Sequence, residues 1–210
     1  IGFNFVYNGT TYNNVWVSGN GYITFGATPT AANILPLSTT TGGSYTGAIS
    51  GYSGPLSVGS IAYDASYPTI QSNCISKLVT GTSPNQICKI EYRQVRRLST
   101  SGSIMSFQIW LYETTNQIEV RFDVVPIPGF IGNPPASTGQ CGLRGTANTD
   151  YNNRTNTVAN WTTTSAGVAN TNTLRTGAGT TIPVTATRIF QWTPNNCVSP
   201  VTLTMSNVLI

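Results

Sequence analysis

The clearest pattern of apolar and polar positions runs from Ile104 to Val125, IMSFQIWLYETTNQIEVRFDVV, with a period of two. Met105, Phe107, Ile109 and Leu111 fall on one face of the first arm, and Ser106, Gln108, Trp110 and Tyr112 on the other. In the second arm Ile118, Val120, Phe122 and Val124 oppose Glu119, Arg121 and Asp123. This is the periodicity of half-buried strands, and the polar run Glu113 to Gln117 between the arms reads as a turn. The spacing predicts a hairpin in which Glu113 pairs with Ile118, Leu111 with Val120 and Ile109 with Phe122, placing Trp110 beside Arg121 and Tyr112 beside Glu119. A slip of one residue would set apolar against polar rows. A four-residue loop and a two-residue loop at Thr115-Asn116 give the same register, so the turn type stays open.

The rest of the chain shows the same habit in shorter pieces. IGFNFVY at residues 1 to 7 reads as a strand, and Asn8-Gly9 as a turn. Residues 12 to 25 read as a hairpin turning at Gly19-Asn20-Gly21. The Thr/Gly/Pro-rich stretch 28 to 46 is a loop, with Ile34 to Leu37 anchoring it to the core, and 48 to 58 is irregular. Ser60 to Tyr63 is a short strand. ICKIEYRQV at 87 to 95 is a strand, CGLRG at 141 to 145 a short apolar one, 148 to 160 a polar loop, 174 to 182 weakly patterned, and TRIFQW at 187 to 192 the last strand. No amphipathic helix is visible. About ten strands in 210 residues predict an all-β, antiparallel β-sandwich, jelly-roll-like, with long Thr/Asn/Gly-rich loops, in one domain over 1–197. Residues 198 to 210, in which Val201, Leu203 and Met205 alternate, are a C-terminal strand or a linker to a following domain or neighbouring subunit.

Composition narrows the function. Charged residues are only 8% of the chain, against roughly 25% in ordinary globular domains. Thr, Asn, Ser and Gly must therefore cover the surface, which suits a secreted, extracellular protein. The net charge of +4 has no cluster beyond Arg93, Arg96 and Arg97, which read as solvated strand residues and not as a nucleic-acid footprint. No run approaches 18 apolar residues, so no membrane insertion is expected. The chain opens at Ile1 inside a strand pattern, as expected of a processed protein or a piece of a longer one. The absence of His excludes Ser-His-Asp and Cys-His catalysis and His-ligated zinc. Cys74 and Cys88 flank a loop-like segment and are the best disulfide candidates, while Cys141 and Cys197 could pair or stay single. Four cysteines allow three connectivities, and spacing alone does not choose.

The ordered set IGFNFVYNGTTYNNVWVSGNGYITFG, CKIEYRQV, SFQIWLYETTNQIEVRF, CGLRG with DYNNR, NWTTT and RIFQWTP resembles the β-sandwich domain of large secreted proteins of Bacteroidota. The opening stretch also resembles, more loosely, nidogen-type extracellular domains. The first resemblance implies a cell-surface module of an adhesin or surface assembly, exported by type IX secretion. Its partners would be the secretion machinery, other domains of the same protein or neighbouring subunits. It brings no catalytic residues, and the chain carries no recognisable secretion tail.

Chemistry-bearing residues are few. The six acids are Asp64, Glu91, Glu113, Glu119, Asp123 and Asp150. Glu119 and Asp123 share a strand face about 13 Å apart, too far for a glycosidase pair, so no enzyme is expected. Trp110, Tyr112, Arg121 and Gln108 have the chemistry to stack on and hydrogen-bond a sugar, which makes surface glycans a candidate ligand. The alternative is that this face packs with Arg121 stacked on Trp110. The run Asn148 to Arg154 offers oxygens to Ca²⁺, but with one carboxylate. Asn8, Asn153 and Asn160 head glycosylation sequons. The other readings are a carbohydrate-binding module of a secreted enzyme and a filament subunit assembling by strand donation through Val201 to Ile210.

Overall fold

A computed structural model describes residues 1–30, 33–39, 45–53, 75–96, 104–122, 137–157, 163–176 and 188–194. Over these residues the chain is an antiparallel β-sandwich with no α-helix and with fourteen strands. They are β1 (Phe5–Tyr7), β2 (Thr10–Tyr12), β3 (Trp16–Ser18), β4 (Tyr22–Phe25), β5 (Gly47–Ser53), β6 (Ile75–Thr80), β7 (Ile87–Arg96), β8 (Ile104–Tyr112), β9 (Ile118–Phe122), β10 (Ser137–Arg144), β11 (Tyr151–Thr155), β12 (Ser165–Ala166), β13 (Leu174–Thr176) and β14 (Arg188–Trp192). One sheet runs β14-β9-β8-β7-β6. The other runs β12-β11-β10-β5-β4-β3, with β13 also paired to β10, and β1-β2 forms a separate hairpin. No helix among the described residues is long and apolar enough to cross a membrane. Ser60 to Tyr63, Cys74, Arg97, Cys197 and the segment 198 to 210 with Val201, Leu203 and Met205 lie outside the described residues.

The central hairpin keeps the predicted faces but not the predicted partners. Leu111 pairs with Ile118, Ile109 with Val120, Trp110 with Glu119 and Gln108 with Arg121, two residues away from the expected register. A two-residue shift leaves every side chain on its own face, so hydrophobic patterning cannot detect it. The turn decides. Asn116 adopts positive φ (50°), its amide donates to the Tyr112 carbonyl, and the Tyr112 amide donates to the Gln117 carbonyl. The four-residue loop is thus Glu113 to Asn116.

Three further expectations are corrected. Residues 48 to 58, read as irregular, contain β5, which lies inside its sheet between β4 and β10. Its glycines do not break the strand; they make room. A Cβ on Gly51 would sit 2.2 Å from the Phe107 ring and one on Gly47 2.3 Å from the Tyr7 ring. The segment 75 to 80, read as loop, is β6, and part of the polar loop after residue 148 is β11. Cys74 lies outside the described residues, and Cys88, its candidate disulfide partner, is free. Cys88 and Cys141 are buried free thiols, packed in the core as small apolar groups. Burial raises both thiol pKa values above the ordinary range.

The core fills the space between the sheets. Cys88, Ile90, Tyr92, Phe107, Ile109, Leu111, Ile118, Val120, Phe122, Phe190 and Trp192 face Ile23, Phe25, Ile49, Cys141 and Leu174. Phe107 stacks on Tyr92 with ring centroids 4.6 Å apart. The Tyr92 hydroxyl lies 3.0 and 2.9 Å from the carbonyls of Ser18 and Tyr22, tying one sheet to the other. The β1-β2 hairpin turns at Asn8-Gly9, both at positive φ, as a two-residue hairpin loop requires. It closes one end of the core: Tyr7 stacks on Phe25 at 4.3 Å, and its hydroxyl reaches the carbonyls of Ala48 (3.0 Å) and Arg144 (2.9 Å).

Candidate functional site

The outward face of the five-stranded sheet brings together the four residues singled out for ligand binding, but their polar atoms are engaged with one another. β8 is the central strand, so Gln108, Trp110 and Tyr112 are flanked by β7 and β9. Lys89 Nζ lies 4.1 Å and Arg121 Cζ 3.6 Å from the Trp110 ring centroid. Trp110 Nε1 donates to Gln108 Oε1 (2.6 Å), and Gln108 Nε2 donates to Glu91 (2.9 Å). Glu119, 6% exposed, accepts from Arg121 (2.6 Å), Tyr112 (2.9 Å), Gln117 (2.9 Å) and Gln191 (3.5 Å). The Tyr112 hydroxyl pKa is raised, first by burial and then by its hydrogen bond to Glu119. Cations from both flanking strands lie over the indole, which is the packed arrangement set against sugar stacking above.

The acids do not converge. Glu113 receives the Gln86 amide (2.9 Å) and the Ser83 hydroxyl (2.8 Å), holding the β6–β7 turn. Glu91 and Glu119 lie in the cross-strand network just described, and Asp150 instead faces Asn8 Nδ2 (3.4 Å). Asp64 and Asp123 are outside the described residues. No group of three or more acids and cysteines that could hold a metal ion forms among the described residues, and Asp150 is the one carboxylate of its loop. Of the sequons, Asn8 is exposed, whereas Asn153 is 1% exposed and is bonded through its amide to the Ala169 carbonyl. Its folded position bars glycosylation. Asn160 is outside the described residues.

A cleft of about 720 Å³ opens where the β1–β2 turn, the β8–β9 turn and the ends of β10, β11 and β14 meet. Tyr151, Trp192, Asn8, Asn116, Asn152 and Asp150 supply its chemistry. The Trp192 indole N–H donates to Asn152 Oδ1 (3.0 Å), joining the two sheets at the rim. Asn116 Oδ1 accepts the Val6 amide (2.7 Å), and Asn8 Nδ2 lies 3.4 Å from Asp150 Oδ2. A Cβ on Gly145 would fall 1.7 Å from Asp150 Oδ2, so the bare glycine is what lets this carboxylate fold back over the β10 end. Amide nitrogens, a carboxylate and two aromatic side chains facing one concavity can bind a polyhydroxylated ligand by combined stacking and hydrogen bonding.

A family model described as NIDO related matches residues 1–194. The chain belongs to the NIDO-related family. Neither the curated proteins nor the solved structures yield a match. The family match covers every described strand, and with it the looser nidogen-like resemblance of the opening stretch. It gives no support to Bacteroidota or type IX secretion. The lining of the cleft of this NIDO-related domain comes from five separate stretches, and its one local signal in the sequence is the Asn/Asp-rich run at 148 to 154.

Proposed function

We propose that this NIDO-related domain is a non-catalytic extracellular module of a cell-surface adhesin or surface assembly, and that it engages neutral carbohydrate in the end cleft. What carries the reading is the cleft itself, with Trp192 and Tyr151 beside Asn8, Asn116, Asn152 and Asp150. NIDO-related domains are typically extracellular, and the low charge content agrees with that setting. Type IX export and a bacterial surface rest on the resemblance of the sequence alone. The test is a glycan array with the full chain, followed by titration of the retained glycan into Tyr151→Ala and Trp110→Ala. Binding that is lost in Tyr151→Ala and kept in Trp110→Ala supports the cleft. The reverse pattern moves the site to the sheet face, and no retained glycan sinks the reading.

A second reading is a subunit that assembles by strand donation. It is favoured by β6, which ends the five-stranded sheet with Ser76, Lys77 and Leu78 exposed. A chain lacking residues 198 to 210 would then remain monomeric while the full chain oligomerises, as read by light scattering. Equal sizes remove that reading.

A further inference from the structure

The seam between β11 and β14 carries a feature that neither the fold nor the cleft uses. At the cleft end Asn152 meets Trp192. Two residues further along each strand, Arg154 faces Phe190, with its Cζ 5.6 Å from the ring centroid, and Arg188 Cζ approaches the same ring at 5.2 Å. Both guanidinium groups then turn to Thr164. Arg154 Nη2 donates to Thr164 Oγ1 (3.0 Å) and to its carbonyl (2.7 Å), and Arg188 Nη2 donates to the same Oγ1 (3.2 Å). Sharing one oxygen keeps the two Nη2 atoms within about 6 Å of each other.

Two like charges this close repel, and more so in a half-buried seam than in bulk water. Neither arginine forms an ion pair among the described residues, where Arg121 is paired with Glu119. Both Nε atoms are buried without a hydrogen-bond partner. A neutral hydroxyl does not balance two cations. Planar guanidinium forks brought together from different sheets match the geometry of a tetrahedral or planar oxyanion.

We propose that Arg154, Arg188 and Thr164 form an oxyanion-binding site that takes a sulfate or carboxylate group. The group could be borne by an acidic glycan or be a free anion. This site does not depend on the neutral-glycan reading of the cleft.

The test compares thermal unfolding of the full chain in sodium chloride and in sodium sulfate at matched ionic strength. Sulfate stabilises proteins generally by exclusion from their surface, so Lys77→Gln, an exposed charge change on β6, sets the baseline. Wild type and Lys77→Gln should gain about 3 °C more in sulfate than Arg154→Gln and Arg188→Gln do. In chloride, Arg188→Gln should melt at or above wild type, because it removes the repulsion. Equal sulfate responses in all four proteins would overturn the site, as would a lower midpoint of both arginine variants in chloride. Asp123 follows Phe122, the strand partner of Arg188, and lies outside the described residues. If Asp123→Asn lowers the midpoint in chloride and brings out a sulfate response absent from wild type, Asp123 is the counter-ion and the proposal falls. Retention on immobilised heparin that is lost in both arginine variants assigns the anion to a glycan; a sulfate response without retention assigns it to a free ion.

Discussion

The two sheets cover their outward faces in different ways. The five-stranded sheet uses its own side chains. Lys89, Trp110, Arg121 and Glu119 come from three adjacent strands and bond to near neighbours. The seven-stranded sheet is covered by loops, and buried polar side chains hold those loops down. Arg144, 6% exposed, donates to the carbonyls of Pro36 and Thr39 (3.0 Å each) and to the Tyr45 hydroxyl (3.1 Å). Gln140, fully buried, accepts the Leu37 amide (2.9 Å) and donates to Ser38 Oγ and the Asn170 carbonyl (3.0 Å each). Asn33 donates to the Tyr45 hydroxyl (2.9 Å), while its carbonyl accepts from Tyr22 (2.9 Å) and Asn20 (3.0 Å). One face is closed by cross-strand pairs at a half-exposed surface. The other is closed by buried hydrogen bonds, of which those from Arg144 to Pro36 and Thr39 and from Leu37 to Gln140 span about a hundred positions. An unpaired polar group costs far more in the second setting.

That contrast sets the order of mutational effects. Arg144→Leu strands two carbonyls and a hydroxyl under the 33–39 loop, and should cost about 3 kcal/mol in urea unfolding. A loss below about 1 kcal/mol would mean that the loop is held by Leu37 and its apolar neighbours instead. Gln140→Ala releases two loops at once and should cost about 2 kcal/mol, with protease cleavage appearing in both 33–39 and 168–173. Cleavage in one loop only would show that Gln140 clamps that one alone. On the other sheet, Trp110→Ala removes two cation–π contacts at a half-exposed site and should cost about 1 kcal/mol. If it costs as much as Arg144→Leu, the distinction between the faces is lost. Lys89→Gln should shift the same unfolding curve by about 0.5 kcal/mol or less, and less again in high salt.

The same contrast explains what the sequence makes legible. Strands β8 and β9 alternate apolar and polar residues because one face meets the core, and the apolar rows Phe107, Ile109, Leu111 and Ile118, Val120, Phe122 are the buried ones, as their spacing predicts. Strand β5 is covered on both sides and carries glycines where Tyr7 and Phe107 press against its backbone, so its pattern is that of a loop. The hairpin register could not be chosen between alternatives two residues apart, since it hangs on Asn116 adopting positive φ. The four residues proposed for ligand binding are neighbours on the sheet face, as their alternation required. Tyr112 meets Glu119, as the alternation places it; what alternation does not report is that Lys89 and Glu91 engage Trp110 and Gln108. The end cleft joins five stretches that only the topology brings together, and no local pattern marks it.

The Tyr7 hydroxyl has a consequence for the order in which the chain can fold. It rests on the carbonyls of Ala48 and Arg144, the second 137 residues away, and Phe5 and Tyr7 stack on Phe25 from the same hairpin. A chain emerging from its N-terminus makes this aromatic latch first and its seat on β10 much later. Such distant closure is slow. Until residue 144 is made, Phe5 and Tyr7 have only part of their seat to bury against. Closure of the domain therefore waits on residue 144, and a partly made chain keeps the aromatic side of β1 incompletely covered until then.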